Sequence, residues 1–151
     1  MKLHLIRHGK AVTSSGKEDH SRTLSEKGVE QIKRLSEYLG EKLNNVEAWS
    51  SSAARTIETL EILSEEIVLA NTKIIDAFYL CNKEAYLDKI WGDSNDFDLV
   101  IVGHNFGISD LVNYFSDELV LMNTAEYICI DFNNLTLKES SKGTGIIVDR
   151  Y

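Results

Sequence analysis

Leu3-His4-Leu5-Ile6-Arg7-His8-Gly9 reads as a short buried strand that ends in an arginine, a histidine and a glycine. A second stretch repeats that logic far downstream. Leu99-Val100-Ile101-Val102-Gly103-His104 is a continuous apolar run that ends in a glycine and a histidine and is followed by a helical pattern. An unbroken apolar run is what a strand buried on both faces of a parallel sheet requires. Strands alternate with helices along most of the chain, which predicts a three-layer α/β/α architecture with a mostly parallel sheet. In such sheets ligands bind beyond the carboxyl ends of the strands, near the point where strand order reverses. Arg7, His8 and His104 stand at such ends.

Working outward, residues 9–22 are polar and read as a surface loop, long enough to expect a function for it. Ser25 is a plausible N-cap for a helix whose Val29, Ile32, Leu35, Leu39 and Leu43 form a core-facing stripe, stopped by Asn44-Asn45. Val46 to Trp49 is a weak strand. Ser50-Ser51-Ser52 ends it and precedes a helix from about Ala53 to Leu69, with Ala54, Ile57, Leu60, Leu63 and Ile67 inward and Arg55 in its first turn. Lys73-Ile74-Ile75 reads as a short strand, Glu84 to Trp91 as a helix, and Gly92-Asp93-Ser94-Asn95-Asp96 as a turn. Asp98 to Gly103 is a strand and Phe106 to Phe115 an amphipathic helix. Tyr127 to Phe132 and Leu135 to Lys138 suggest a hairpin around Asn133-Asn134, hence an antiparallel edge, and Ile146-Ile147-Val148 suggests one more strand.

Composition bounds the function. The chain has 151 residues, which predicts one domain over 1–151, and 43% of them are hydrophobic, enough for a sizeable core. A formal net charge of -8 argues against nucleic acid or an acidic membrane surface as partner, because such binders need a positive field. A few arginines in a cleft still suffice for a small anion. Cys81 and Cys129 match no metal-binding spacing and read as free thiols. No run is apolar and long enough to span a membrane, and the start carries no signal core, so a cytoplasmic location is expected.

The chemistry rests on four residues. An arginine beside a histidine is unfavourable to bury unless an anion joins them. Arg55 and His104 each stand at a helix start, where backbone amides and the dipole favour an anion. Arg7, His8, Arg55 and His104 together suit a phosphoryl dianion, whereas for either arginine alone pairing with a surface carboxylate is the better reading.

These residues also carry a resemblance. Leu5-Ile6-Arg7-His8-Gly9 resembles the Arg-His-Gly signature of the histidine phosphatase superfamily, which includes the cofactor-dependent phosphoglycerate mutases. Ser51-Ser52-Ala53-Ala54-Arg55-Thr56-Ile57-Glu58-Thr59 resembles its second motif, and Val102-Gly103-His104-Asn105 its third. Asp19-His20-Ser21-Arg22-Thr23-Leu24-Ser25-Glu26-Lys27-Gly28 is similar to the segment after the first loop in the small branch typified by the SixA phosphohistidine phosphatases. The sequence departs from the pattern at Ala53 and Phe106, where proline is usual, and at Lys10, where the mutases are commonly acidic.

The resemblance implies a phosphoglycerate mutase-like fold and assigns roles. His8 would be the nucleophile, and Arg7, Arg55 and His104 would bind the phosphoryl oxygens. Asn105 would contact substrate, and Arg22 either binds substrate or ties the loop to Asp19. Nearby arginines disfavour an imidazolium and so keep His8 nucleophilic. No metal or other cofactor is expected, since the arginines neutralise the charge in flight. The mutase insertion with its glutamate acid is missing, which leaves Asp19, Asp76 and Glu84, with Glu18 beside Asp19, as candidates for a general acid. An alkoxide leaving group needs a proton, whereas the imidazole of phosphohistidine, with a pKa of about 6.5, leaves readily. A phosphohistidine in a partner protein is therefore the expected substrate. The alternatives are a small phosphomonoester, or an inactive module that only recognises phosphate. His4 and His20 are expected to be structural and solvated, respectively.

Overall fold

Strand β4 (Leu99–Gly103) is buried along its whole length and lies near the middle of a six-stranded sheet of order β3-β2-β4-β1-β5-β6. The computed structural model describes residues 1–13, 16, 18–94 and 97–151. Of the expected loop and turn, Ser14, Ser15, Lys17, Asn95 and Asp96 lie outside the described residues. The elements are β1 (Lys2–Arg7), α1 (Glu26–Gly40), β2 (Asn44–Ser51), α2 (Ala54–Leu63), β3 (Val68–Ile75), α3 (Lys83–Asp93), β4, α4 (Gly107–Ser116), β5 (Tyr127–Asp131) and β6 (Ile146–Arg150). β1, β2, β3 and β4 are mutually parallel, and β5 and β6 form an antiparallel edge beside β1.

Alternation along the central strands builds a core on each face. Leu3, Leu5, Leu99, Ile101, Ile128 and Ile130 point toward α3 and α4 and pack with Trp49, Phe78, Tyr86 and Phe115. Ile6, Val100, Val102, Tyr127 and Cys129 point the other way, against Ile32, Leu35 and Leu39 of α1 and Leu60 and Leu63 of α2. The three-layer α/β/α fold with an antiparallel edge is as expected from the sequence. Both thiols are free. Among the described residues no helix is long and apolar enough to cross a membrane.

Several boundaries differ from the sequence reading. α1 ends at Gly40, before Asn44-Asn45, which already belong to β2. α2 ends at Leu63, not Leu69. Its C-cap is Ser64, and the chain turns through Glu65 and Glu66 so that residues 68–75 can pair in parallel with β2. Leu135 to Lys138 is not a hairpin strand. Thr136 and Glu139 form a capping box around a short 3-10 turn (Leu137–Glu139) that buries Leu137 in the core. β5 pairs instead with β6, Ile128 opposite Arg150.

Candidate active site

β1 and β4 are neighbours in register, with Arg7 opposite Gly103, so their carboxyl ends deliver His8 and His104 to one place. The two imidazoles meet edge to face, with centroids 5.1 Å apart. β2 borders β4 on its other side, and α2, which starts just past its end, brings in Arg55. The topology therefore gathers Arg7, His8, Arg55 and His104 from three segments that are distant in sequence.

Residues 51–59 build the start of α2 and tie it to the site. Ser51 Oγ lies 2.9 Å from His104 Nε2, and Ser52 Oγ lies 3.1 Å from His20 Nε2. Ala53 is the N-cap of α2 with φ -67, the value that proline would impose, so the missing ring leaves the turn unchanged. Thr56 Oγ1 donates within the same turn, 2.8 Å from the carbonyls of both Ser51 and Ala53. Thr59 Oγ1 accepts the Gly9 amide at 3.2 Å, which ties α2 to the backbone next to His8. The buried face of α2 thus carries Arg55, Thr56 and Thr59 beside Leu60 and Leu63, whereas the expected Ala54 and Ile57 are only half-buried.

His8 is buried. Its Nδ1 lies 2.7 Å from the Gly9 carbonyl oxygen, so Nδ1 carries the proton and Nε2 the free lone pair. Arg55 Nε donates to that Nε2 at 3.3 Å. Burial pushes His8 down to about 4; the Gly9 carbonyl opposes this, and Arg55, Arg7 and Arg22 reinforce it. His104 is pushed down to about 3, first by burial, then by His8 and Arg55. Both rings are neutral at pH 7. Arg7 Nη1 donates to the Met122 carbonyl at 2.8 Å, while Arg7 Nε and His104 Nδ1 are buried and meet no hydrogen-bond partner among the described residues.

The other expected residues divide. Arg22 donates to Val12 O and, at 2.7 Å, to Asp19 Oδ1, so it does tie the loop to Asp19. Asp19 itself is within the site: its Oδ2 accepts from Arg55 at 3.0 Å and its carbonyl from Arg55 at 2.7 Å. Asn105 is spent on structure, donating to Met122 O and accepting from Ser109 Oγ, each at 2.7 Å. Asp76 is exposed and its carbonyl accepts from the Tyr79 amide, and exposed Glu84 pairs with Lys83. Neither carboxylate bonds to the histidines or arginines of the site. Glu18 is exposed. His4 is buried against Tyr127 OH on the α1 face of the sheet, and His20, although exposed, packs edge-on against Tyr79.

Tyr79 escaped the sequence reading. Its hydroxyl donates to Asp19 Oδ2 at 2.7 Å, and its ring meets His104 edge-on at 5.7 Å. The residues around it, 76–83, show no periodicity from which a site residue could be picked out. Among the described residues no three His, Cys, Asp or Glu side chains are grouped to hold a metal ion.

The model of the histidine phosphatase superfamily (branch 1) matches residues 3–77. The chain belongs to the histidine phosphatase superfamily. The segment Val102-Gly103-His104-Asn105 lies beyond the matched residues, and the fold supplies that part of the comparison. A protein assigned as the phosphohistidine phosphatase SixA of Nakamurella multipartitia is 19% identical, with a TM-score of 0.83 over 99% of this chain and 94% of that one. The protein histidine phosphatase SixA complexed with tungstate is 16% identical, with a TM-score of 0.83 over 99% and 96%. A structure assigned as an alpha-ribazole-5'-P phosphatase from Escherichia coli is 14% identical, with a TM-score of 0.68 over 99% of both chains. At these identities the likeness is one of fold. No curated protein matches the sequence.

Proposed function

We propose that the protein is a phosphatase that works through a phosphohistidine on His8, and that its substrate is a phosphohistidine borne by a partner protein. The observation that carries the reading is the state of His8. It is a neutral imidazole with its proton fixed on Nδ1 by Gly9 O, its Nε2 lone pair directed at Arg55, and a second histidine in contact. In the first step Nε2 attacks phosphorus and the bond from phosphorus to the leaving nitrogen breaks, with the leaving imidazole taking a proton from solvent. In the second step water attacks phosphorus, the bond to Nε2 breaks, and inorganic phosphate leaves. Arg7 and Arg55 offset the charge on the phosphoryl oxygens in both steps, the usual main source of rate in this chemistry, with the neutral His104 beside them as a hydrogen-bonding group.

Two features support the substrate class. The carboxylate that reaches the site, Asp19, is held well below the usual carboxylate range, first by the Tyr79 hydroxyl and then by Arg22 and Arg55. It is a poor proton donor, which suits a leaving group that needs little help. Exposed apolar side chains are also chain neighbours of residues at or near the site. Leu80 follows Tyr79, Phe106 follows Asn105, and Leu121 precedes the Met122 whose carbonyl holds Arg7 and Asn105. The backbones of Gly107 and Cys81 are in such close approach that a Cβ on Gly107 would sit 2.1 Å from Cys81 O, so the segments that carry Leu80 and Phe106 run side by side. Exposed apolar side chains on segments next to a charged site suit a folded partner better than a small sugar phosphate.

The test is single-turnover labelling with a radiolabelled phosphoryl donor, quenched and probed for an acid-labile, base-stable phosphoenzyme. Label on the wild type and none on His8→Ala is expected; equal label on both would overturn the mechanism. Turnover of a phosphohistidine protein is then compared with that of aryl and sugar phosphates, and a strong preference for sugar phosphates would transfer the assignment to small phosphomonoesters. Phosphate binding with no turnover of any of them would make the protein a recognition module.

A further inference from the structure

We infer that Asp19 is a resident anion on the phosphoryl seat, latched there by Tyr79, and that substrate binds by exchanging with it. The inference rests on the proposed phosphoryl chemistry at His8 and concerns how that site admits its ligand.

All three guanidinium nitrogens of Arg55 are engaged in the resting protein. Nε donates to His8 Nε2, Nη1 to the Asp19 carbonyl, and Nη2 to the Asp19 carboxylate. A phosphorus atom attacked by His8 Nε2 must come within reach of the same guanidinium, and its oxygens then compete with Asp19 for that group's charge and N–H donors. The Asp19 carboxylate already has the coordination that a phosphoryl group would seek: Arg55 at 3.0 Å, Arg22 at 2.7 Å and the Tyr79 hydroxyl at 2.7 Å. Its strongly favoured ionised state fits that setting.

The carboxylate can leave. Its side chain is 41% exposed, and it stands on a three-residue 3-10 turn (Asp19–Ser21), whereas the Arg55 side chain is 4% exposed and fixed. Exchange makes the site selective. A second carboxylate, such as an acidic side chain on a partner surface, gains nothing by displacing Asp19, since it offers the same charge to the same donors. A phosphoryl dianion brings more charge and more acceptor oxygens, and can also meet Arg7. Tyr79 adjusts the threshold, because its hydroxyl favours the latched carboxylate while adding no charge.

The experiment measures binding of inorganic phosphate and of acetate by calorimetry to wild type, Asp19→Asn and Tyr79→Phe, with a melting curve for each. Tyr79→Phe keeps the ring against His20 and His104, so it tests the latch if the charge change disturbs folding. Phosphate is expected to bind about tenfold tighter to Asp19→Asn, the size of one lost charge-assisted contact, and a few-fold tighter to Tyr79→Phe. Acetate is expected to bind Asp19→Asn and not the wild type. Unchanged phosphate affinity with turnover lost in Asp19→Asn would make Asp19 a proton donor and overturn the exchange. Weaker phosphate binding in either variant would make the carboxylate a buttress for the arginines, and likewise overturn it. Tighter phosphate in both variants, with no label on wild-type His8, would sustain the exchange while refuting the proposed catalysis.

Discussion

Arg55 Nε donates to Nε2 of His8 across 3.3 Å, from the first turn of α2 to the end of β1. The guanidinium therefore faces the lone pair that would attack phosphorus. In the resting protein it orients the imidazole, and in the proposed reaction its donors would turn to the phosphoryl oxygens. A planar fork can do both at once, whereas an ammonium is a single point that can do one. Arg55→Lys keeps the charge but is expected to lose about 10²- to 10³-fold in kcat/KM, the range for removing one preorganised donor. Steady-state kinetics on an aryl phosphate measure it, and a loss of under about fivefold would show that charge alone suffices.

The depressed histidines set a pH dependence. Protonating His8 removes its lone pair, so kcat/KM is expected to hold down to acid pH and to fall as pH drops through about 4, the value set by burial. The sign for stability follows from the same shifts. Folded His8 and His104 titrate at about 4 and about 3, below the 6.5 of a free imidazole, so between those values the unfolded chain binds more protons. These two groups leave stability unaffected above pH 6.5 and lower it as pH falls below that. A pH–rate profile, corrected for ionisation of the substrate, checks the first point, and melting temperature against pH checks the second. An acid limb at 6.5 would mean that His8 feels neither burial nor arginine.

Much of this site was legible because strand ends in a parallel sheet must converge. Two apolar runs ending in histidine and a helix beginning with arginine could be placed together without coordinates. The polar scaffold was not legible. Apolar periodicity reports the residues that face the core, and on α2 it drew attention to Ala54 and Ile57, while the helix buries Arg55, Thr56 and Thr59 against the loop after β1. Tyr79 and Asp19 are 60 residues apart and meet through a single hydrogen bond, which no local pattern encodes. The hairpin expectation failed for a related reason. Asn133-Asn134 looks like a tight turn, but the antiparallel partner of β5 begins only at Ile146, after the capped turn that buries Leu137.

Thr59 tests the link from α2 to the proposed nucleophile, His8. It accepts the Gly9 amide and donates to the Arg55 carbonyl at 2.7 Å. Thr59→Val preserves shape and leaves a buried amide unpaired, at a cost of about 1–3 kcal/mol. Denaturant unfolding should register that loss, and kcat should fall with KM nearly unchanged, because the Gly9 backbone also fixes the His8 proton. Full stability in the valine variant would mean that water or a shifted loop satisfies the amide.

Gly28 sets two effects against each other. It lies inside α1, where alanine is ordinarily better than glycine by about 1 kcal/mol. A Cβ there would stand 2.1 Å from the Lys10 carbonyl oxygen, which is backbone and is itself held by the Ser25 amide at 2.8 Å and the Ser25 hydroxyl at 2.9 Å. The overlap must win, since neither segment can yield without breaking those bonds. Gly28→Ala is expected to lose about 1–3 kcal/mol, as overpacked sites do. For a chain of this length that lowers the melting temperature by roughly 2–4 °C per kcal/mol. Gly92, inside α3 and with no non-neighbouring atom of the described residues within 4 Å of an added Cβ, is the control. Gly92→Ala should leave the melting temperature equal or higher. A stabilised Gly28→Ala would show that the loop after β1 is free to move away from α1, and the placement of His8 would then need another support.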